Sequence, residues 1–158
     1  MLIHLIRHGH AGRRRDWAGP DEQRPLSERG EAQARALDEA LAGAGIGLLW
    51  SSNFQRCIQT LEPLATRLDL PVESTTLLTE GACGGPALDA LLGAVADGHA
   101  VAASSHGDVI PAILREAQDR GASLDGPSAP RKAARYQLTV VDGRIDHIVH
   151  IDAPQAPA

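Results

Sequence analysis

LIHLIRHGH, at residues 2–10, is an apolar run that ends in polar residues and a glycine. The run at 2–6 predicts a short buried strand, and a polar loop with Gly and Pro follows from residue 9 to about 26. Ser27 then favours the start of a helix that continues through Leu41. A strand, a polar loop and a helix in this order are typical of an α/β sheet.

The rest of the chain continues the alternation of strands and helices. Strands are expected at 46–50, 99–104, 135–141 and 144–151, an extended stretch at 71–78, and helices at 55–68, from 86, and at 108–120. Pro63 should kink or divide its helix, residues 121–130 should form a loop, and Asp142-Gly143 should make a two-residue hairpin turn at an edge of the sheet. We therefore predict an α/β fold, a three-layer α/β/α sandwich whose mostly parallel mixed sheet has a C-terminal antiparallel hairpin. A single domain is expected over 1–152, with a disordered tail at 153–158.

Composition excludes several classes of protein. A net charge of -5 and 3% aromatic residues argue against a partner that is a nucleic acid polymer. No apolar run is long enough to span a membrane, and the N-terminus lacks a signal peptide, so we expect a cytoplasmic protein without a membrane partner. Arginines are nevertheless concentrated in the first thirty residues, at positions 7, 13, 14, 15, 24 and 29. This local excess of positive charge indicates a small anionic substrate.

Three polar clusters follow predicted strands. They are Arg7-His8-Gly9, Ser51-Ser52 with Arg56, and Ser105-His106-Gly107. Because ligands in such sheets bind outside the carboxyl ends of the strands, we expect all three clusters in one crevice. The crevice suits a phosphoryl group, since arginines hold two phosphate oxygens at once and glycines allow the backbone to approach the ligand.

The two histidines of these clusters suggest covalent catalysis. A neutral imidazole is a good nucleophile toward phosphorus, and a second, protonated imidazole can stabilise the transition state. We assign His8 as the nucleophile and His106 as the stabiliser. The leaving oxygen needs a proton, for which Glu80 is the best candidate.

These motifs resemble the histidine phosphatase superfamily, also called the phosphoglycerate mutase-like or RHG family. The matching stretches are LIRHGHAG at 5–12, RPLSERGEAQA at 24–34, LLWSSNFQRCIQTLEPLA at 48–65, LLTEG at 77–81 and ASSHGDVI at 103–110. The resemblance implies that Arg7, His8, Arg56 and His106 form the phosphate pocket. It also implies a transient phosphohistidine on His8 and no metal or other cofactor.

The short chain looks most like the compact SixA-type phosphohistidine phosphatases, and like the phosphatase-type domain that follows some Nudix hydrolases. SixA-type members generally lack a carboxylate donor, so Glu80 favours phosphate esters. The partner is expected to be a small phosphorylated substrate or a phosphohistidine protein, and the sequence leaves the oligomeric state open. A phosphomutase, or a phospho-ligand binding module without catalysis, is the alternative.

Several residues allow two interpretations. Gly9, Ser52 and Gly107 are candidate substrate-binding residues by position, and Arg13 can either steer the substrate or be a solvated loop residue. Arg24 can either clamp the substrate or pair with an acidic neighbour in its loop. Four further residues have a structural alternative to a functional role: Trp17 as a loop anchor, Cys57 as a buried thiol, Gln59 as a helix-surface amide and His4 as a packed side chain. His4, His8 and His10 could alternatively bind a metal, because they share one strand face by period-two spacing.

Overall fold

Seven strands form one sheet within residues 1–155, the part of the chain that the computed structural model describes. They are β1 (Leu2–Arg7), β2 (Ile46–Ser51), β3 (Val72–Ser74), β4 (Ala100–Ser105), β5 (Ser123–Asp125), β6 (Arg135–Val141) and β7 (Arg144–Ile151), in the spatial order β3-β2-β4-β1-β6-β7-β5. β6 runs antiparallel to both of its neighbours, whereas every other adjacent pair is parallel. The predicted mostly parallel mixed sheet is therefore confirmed.

The hairpin of β6 and β7 forms at the predicted turn. Asp142 and Gly143 both have positive φ, 50° and 74°, as the tight turn between twisted antiparallel strands requires. Its predicted place at an edge is wrong, because β5 pairs with β7 and becomes the edge strand on that side. β5 lies inside the stretch 121–130, which the sequence predicts as a loop.

Four α-helices in the described residues cover the sheet: α1 (Glu28–Leu41), α2 (Gln55–Leu68), α3 (Gly84–Ala96) and α4 (Val109–Asp119). The Ser27 hydroxyl caps α1 by accepting a hydrogen bond from the Gly30 amide. Pro63 lies inside α2 and does not divide it.

The helices form two layers, one on each face of the sheet. On one face, α1 and α2 bury Leu37, Leu41, Leu61 and Leu64 against Ile6 of β1. On the other face, α3 and α4 bury a second apolar cluster that includes Leu88, Leu91, Ile110, Ile113 and Leu114. Each fully buried aliphatic side chain contributes about 1.5–3 kcal/mol to the driving force for folding. The α/β/α arrangement is thus as predicted.

The register of the strands gathers several chain segments at one edge of the sheet. Arg7 pairs with Ser105, and Ser51 pairs with Ser104, so β1, β2 and β4 end side by side. β6 begins there as well, because it runs in the opposite direction and its first residue pairs with Ile6. The carboxyl ends of β1, β2 and β4 therefore lie next to the segment that precedes β6.

The described part of the chain contains no helix that is both long and apolar enough to cross a membrane. The predicted tail at 153–158 lies partly outside the described residues, which end at Gln155. Ala153 packs against the apolar cluster under α1 and α2. The domain boundary at residue 152 stays a prediction.

Candidate phosphate-transfer site

His8 and His106 meet at the ends of adjacent parallel strands, as the sequence predicts. Each follows the last residue of its strand, and the two ring centroids lie 5.5 Å apart in an edge-to-face arrangement. Both side chains are almost completely buried, at 4% and 2% exposure. Two imidazoles thus share a confined site at the carboxyl edge of the sheet.

The backbone fixes the tautomer of His8. Its Nδ1 lies 2.8 Å from the carbonyl oxygen of Gly9, which can only accept a hydrogen bond. Nδ1 must therefore carry the proton, and Nε2 keeps its lone pair, toward which Arg56 Nε donates at 3.4 Å. Burial lowers the pKa of His8 to about 2, and the positive charges of Lys132 and Arg56 act in the same direction. His8 is consequently neutral, with Nε2 unprotonated, near neutral pH.

His106 is held by its other ring nitrogen. Its Nε2 lies 2.8 Å from the hydroxyl oxygen of Ser52, which also accepts a hydrogen bond from the Phe54 amide at 3.2 Å. Burial lowers the pKa of His106 to about 4, and the charge of Arg56 adds to this effect. Nδ1 is buried and has no hydrogen-bond partner among the described residues. A buried polar atom of this kind is stabilised when a ligand supplies the missing partner.

Arg56 connects the histidines to the loop at 9–26. Its side chain is 1% exposed and its guanidinium carbon lies 4.8 Å from the centre of the Phe54 ring. Its two terminal nitrogens donate to Asp21, one to the backbone oxygen at 2.9 Å and one to the carboxylate at 3.1 Å. Arg56 is thus held in place by an acidic residue that the sequence analysis did not assign to the site.

Asp21 joins three arginines. Its carboxylate accepts hydrogen bonds from Arg24 and Arg14, both at 3.0 Å, as well as from Arg56. Burial on its own raises the pKa of Asp21, but the hydrogen bonds from Arg24 and Arg14 and the charge of Arg56 outweigh it and lower the pKa to about 2. The only signal in the sequence was the spacing of Asp21 three residues before Arg24, which indicated local pairing and no link to Arg56.

Arg24 and Arg13 differ in their surroundings. Arg24 is buried and donates to the backbone oxygens of Ala11 and Gly12 in addition to Asp21, so it fastens the loop at 9–26. Arg13 is exposed. For both residues, direct contact with a substrate stays a prediction.

Gly107 permits a close contact at the end of β4, and Gly9 makes a hydrogen bond at the end of β1. A Cβ atom on Gly107 would lie 2.8 Å from the guanidinium carbon of Arg7, so a larger residue there would displace that side chain. Arg7 donates to the backbone oxygen of Pro130 at 2.7 Å. The amide of Gly9 donates to the hydroxyl of Thr60 at 2.9 Å, which links β1 to α2.

Glu80 lies at the rim of the site, where its side chain is 39% exposed. Its carboxylate is 3.1 Å from Arg14 and 3.9 Å from Arg56. The structure therefore brings Glu80 close to the buried arginine, with Arg14 holding it from the solvent side.

Four further side chains for which the sequence allowed a structural or a functional role have structural surroundings: Cys57, Gln59, Trp17 and His4. Cys57 is completely buried, and burial raises the pKa of its thiol to about 12. The Gln59 amide oxygen accepts from the Leu26 amide, and the Trp17 indole donates to the Pro20 carbonyl oxygen. His4 is packed in β1 with 4% exposure.

The alternative of a metal bound by His4, His8 and His10 finds no support in the geometry. Within residues 1–155, no group of three or more His, Cys, Asp or Glu side chains is placed to hold a metal ion. His10 instead pairs with the Ser27 hydroxyl at 2.7 Å through Nδ1.

Comparisons with known proteins identify the family of this chain. The family model for the histidine phosphatase superfamily (branch 1) matches residues 3–87. An 8-oxo-(d)GTP phosphatase of Mycolicibacterium smegmatis is 33% identical over 153 residues, which cover 95% of this chain and 48% of that protein. The chain thus spans about half the length of this curated relative.

Solved structures share the fold. The protein histidine phosphatase SixA in complex with tungstate superposes with a TM-score of 0.76 at 25% identity, over 95% of this chain and 97% of SixA. A mycobacterial glucosyl-3-phosphoglycerate phosphatase in complex with VO3 superposes with a TM-score of 0.72 at 19% identity, over 96% and 99% of the two chains. With the matched family model, these findings lead to one conclusion: this chain belongs to the histidine phosphatase superfamily, branch 1.

Proposed function

We propose that this chain is a metal-independent phosphatase that hydrolyses a phosphomonoester or a phosphohistidine through a covalent intermediate on His8. The observation that carries the proposal is the tautomer of His8. Gly9 holds the Nδ1 proton and leaves the lone pair of Nε2 beside Arg56 and His106. An unprotonated imidazole nitrogen next to a buried guanidinium is suited to attack the phosphorus of a bound anion.

In the first step, the Nε2 lone pair of His8 forms a bond to phosphorus while the bond from phosphorus to the leaving atom breaks. Arg7, Arg56 and His106 stabilise the charge on the phosphoryl oxygens in the transition state. The electron pair of the broken bond stays with the leaving atom, which then takes up a proton. For an alkyl ester, the carboxyl group of Glu80 supplies that proton.

In the second step, water attacks the phosphorus of the phosphohistidine. The Glu80 carboxylate accepts a proton from the water, the phosphorus–nitrogen bond breaks, and phosphate leaves. His8 regains its lone pair on Nε2, with Nδ1 still bonded to Gly9. The cycle thus consumes one water and returns every group to its starting state.

Glu80 favours esters over phosphohistidine as the substrate class. Imidazole is a good leaving group, so phosphohistidine does not require a carboxylic acid at the rim. Glu80 lies 3.9 Å from Arg56, which is close enough to serve a leaving oxygen above the pocket. We also propose a cytoplasmic location, supported by two cysteines that are free in the structure.

The test is phosphate release by the purified protein in the presence of a chelator. A phosphohistidine peptide, a set of nucleoside phosphates and an aryl phosphate serve as substrates, with His8→Ala as the control. We expect chelator-resistant release from the wild type, without a phosphorylated primer, and none from the variant. Turnover that survives His8→Ala, or that requires a metal, would contradict the mechanism. Silence of the wild type on all three substrates would instead favour a binding module.

A further inference from the structure

A cavity of about 560 Å³ lies beside the proposed phosphate pocket. Four of its eight lining residues are basic, Arg7, Arg29, Arg131 and Lys132, and we call it the basic cavity. The other four are His10, Gln33, Asp152 and Ala153. Its volume is in the range of about 300–1,000 Å³ typical of small-molecule sites. Arg7 belongs to both the pocket and the cavity, so the two are contiguous.

The positive charge of the basic cavity exceeds that of the single carboxylate, Asp152, that lines it. Arg29, Arg131 and Lys132 form no ion pair with any side chain of the described residues, and the Asp152 side chain is 94% exposed. Burial lowers the pKa of Lys132, and nearby positive charges, first that of Arg7, lower it further. Cations held together in this way are stabilised by a bound anion.

The backbone places Lys132 next to the nucleophile. Ala133 has φ of 64°, a left-handed conformation that is unfavourable for a residue with a Cβ atom. The Ala133 amide donates to the carbonyl oxygens of Arg7 and His8 at 3.1 and 3.2 Å. These bonds hold the unfavourable turn and bring Lys132 to the carboxyl end of β1.

The lining indicates recognition by charge. None of its described side chains is Phe, Tyr or Trp, and four of its eight lining residues are cationic. Guanidinium and ammonium groups are the usual partners of phosphate oxygens. Resting on the proposed function, we propose that the basic cavity binds a second phosphate group, so that the preferred substrates carry two phosphates.

The first experiment measures inhibition of aryl phosphate hydrolysis by inorganic phosphate and by pyrophosphate at constant ionic strength. We expect pyrophosphate to inhibit the wild type about tenfold more strongly than phosphate. The substitutions Arg29→Gln and Arg131→Gln, singly and together, should reduce this preference. Arg35→Gln is the matched control, because Arg35 is an exposed arginine of α1 that does not line the basic cavity.

The second experiment compares substrates. For a nucleoside diphosphate and a sugar bisphosphate, we expect the Arg29→Gln and Arg131→Gln variants to raise KM about three- to tenfold with little change in kcat. The aryl phosphate, which has no second phosphate, should keep its KM and kcat. A KM change confined to the diphosphate or to the bisphosphate supports the cavity and identifies the spacing between the two groups.

Equal inhibition by phosphate and pyrophosphate in the wild type, or equal effects of the variants on all substrates, would overturn the proposal. If the wild type hydrolyses no substrate, the proposed function fails separately from the cavity. Calorimetric binding of pyrophosphate then decides the matter. Binding that Arg131→Gln weakens and Arg35→Gln preserves would support the basic cavity, and the absence of such binding would overturn it.

Discussion

His8 and His106 stand at equivalent places on neighbouring strands, but the protein holds opposite nitrogens of the two rings. A backbone carbonyl binds Nδ1 of His8, whereas the Ser52 hydroxyl binds Nε2 of His106. A carbonyl can only accept, so it imposes one tautomer, while a hydroxyl can donate or accept and so tolerates both the neutral and the charged ring. The difference suggests that His8 is fixed for attack and that His106 adapts to the charge of the bound phosphoryl group.

The largest expected effect comes from replacing the fixed ring. His8→Gln should lower kcat at least about a thousandfold, because the amide cannot form the covalent intermediate. Phosphate release and acid-labile labelling of the protein by a radiolabelled substrate provide the measurement. Vanadate binding should remain within about tenfold of the wild type. Labelling of the His8→Gln protein would show that another residue is the nucleophile.

Replacing the adaptable ring should have a smaller effect. His106→Gln is expected to reduce kcat about a hundredfold, the typical loss for one donor to a charged transition state. The variant should still become labelled in a rapid-quench experiment, but more slowly. Equal losses of labelling in the two glutamine variants would remove the distinction between the histidines.

A substitution at Asp21 tests whether catalysis by His8 and His106 depends on the position of Arg56. Asp21→Asn removes the negative charge that three arginines share, and charge-assisted hydrogen bonds contribute about 1.5–3 kcal/mol each. We expect kcat/KM to fall about tenfold or more, since Arg56 loses its charged partner and keeps only the hydrogen bond to the backbone oxygen of residue 21. Glu22→Gln is the control, because Glu22 is the exposed neighbour of Asp21. An increase in kcat/KM would mean that Asp21 competes with the substrate for Arg56.

Ser52→Ala addresses the hydroxyl that distinguishes His106 from His8. One neutral hydrogen bond contributes about 1 kcal/mol, so we expect roughly a fivefold decrease in kcat. Ser74→Ala, at an exposed position in β3, serves as the control. The Phe54 ring also lies 4.8 Å from the His106 ring, and Cys57 Sγ lies 3.5 Å from His106 Nε2. No change in kcat would indicate that these two contacts suffice to orient His106.

His4 shows what happens to a buried histidine of β1 without a ligand-binding task. Burial and, to a smaller extent, the charge of Arg135 lower its pKa to about 4, and neither ring nitrogen has a partner among the described residues. In the unfolded chain the pKa of this histidine is near 6.5, so the unfolded state takes up a proton at a higher pH than the folded state does. The contribution of neutral His4 to the free energy of unfolding is therefore fully present above pH 6.5 and is lost as the pH falls toward 4.

The variant His4→Leu should therefore change stability and leave activity nearly unchanged. When the pH is lowered from 8 to 5, the free energy of unfolding of the wild type should fall by about 2 kcal/mol relative to that of His4→Leu. Urea denaturation at both pH values measures this difference. A constant difference across the range would show that His4 keeps its ordinary pKa in the folded protein.

Much of the fold followed from local signals in the sequence. The apolar periodicity of α2 and the turn at Asp142-Gly143 depend on neighbouring residues, and the structure places both where the sequence predicts them. β5 gave no such signal, because Leu124 is its single apolar residue and the strand exists through its pairing with β7. The place of the hairpin inside the sheet depends on the same long-range pairing.

The candidate site likewise contains residues that the sequence predicts and residues that it does not. His8 and His106 follow apolar strands, so the topology of a parallel sheet predicts that they meet. Asp21 begins a short 3-10 helix and Lys132 lies in a turn, and neither periodicity nor strand order predicts which residues they approach. The contact of Asp21 with Arg56, and the hydrogen bond from the neighbouring Ala133 that brings Lys132 to His8, depend on three-dimensional loop conformations that a single sequence does not define.

The reversed direction of β6 has a practical consequence for experiments with fused peptides. β7 runs back toward the carboxyl edge, so the chain leaves its last strand at Ile151 and passes Asp152 and Ala153 along the basic cavity. Met1 lies at the opposite edge, about 20 Å away along β1 at 3.3 Å per residue. A peptide fused directly after Gln155, particularly a polyhistidine or an acidic sequence, would start within a few residues of the basic cavity. The same peptide fused before Leu2 would start on the far side of the sheet and is the safer choice for measuring kinetics.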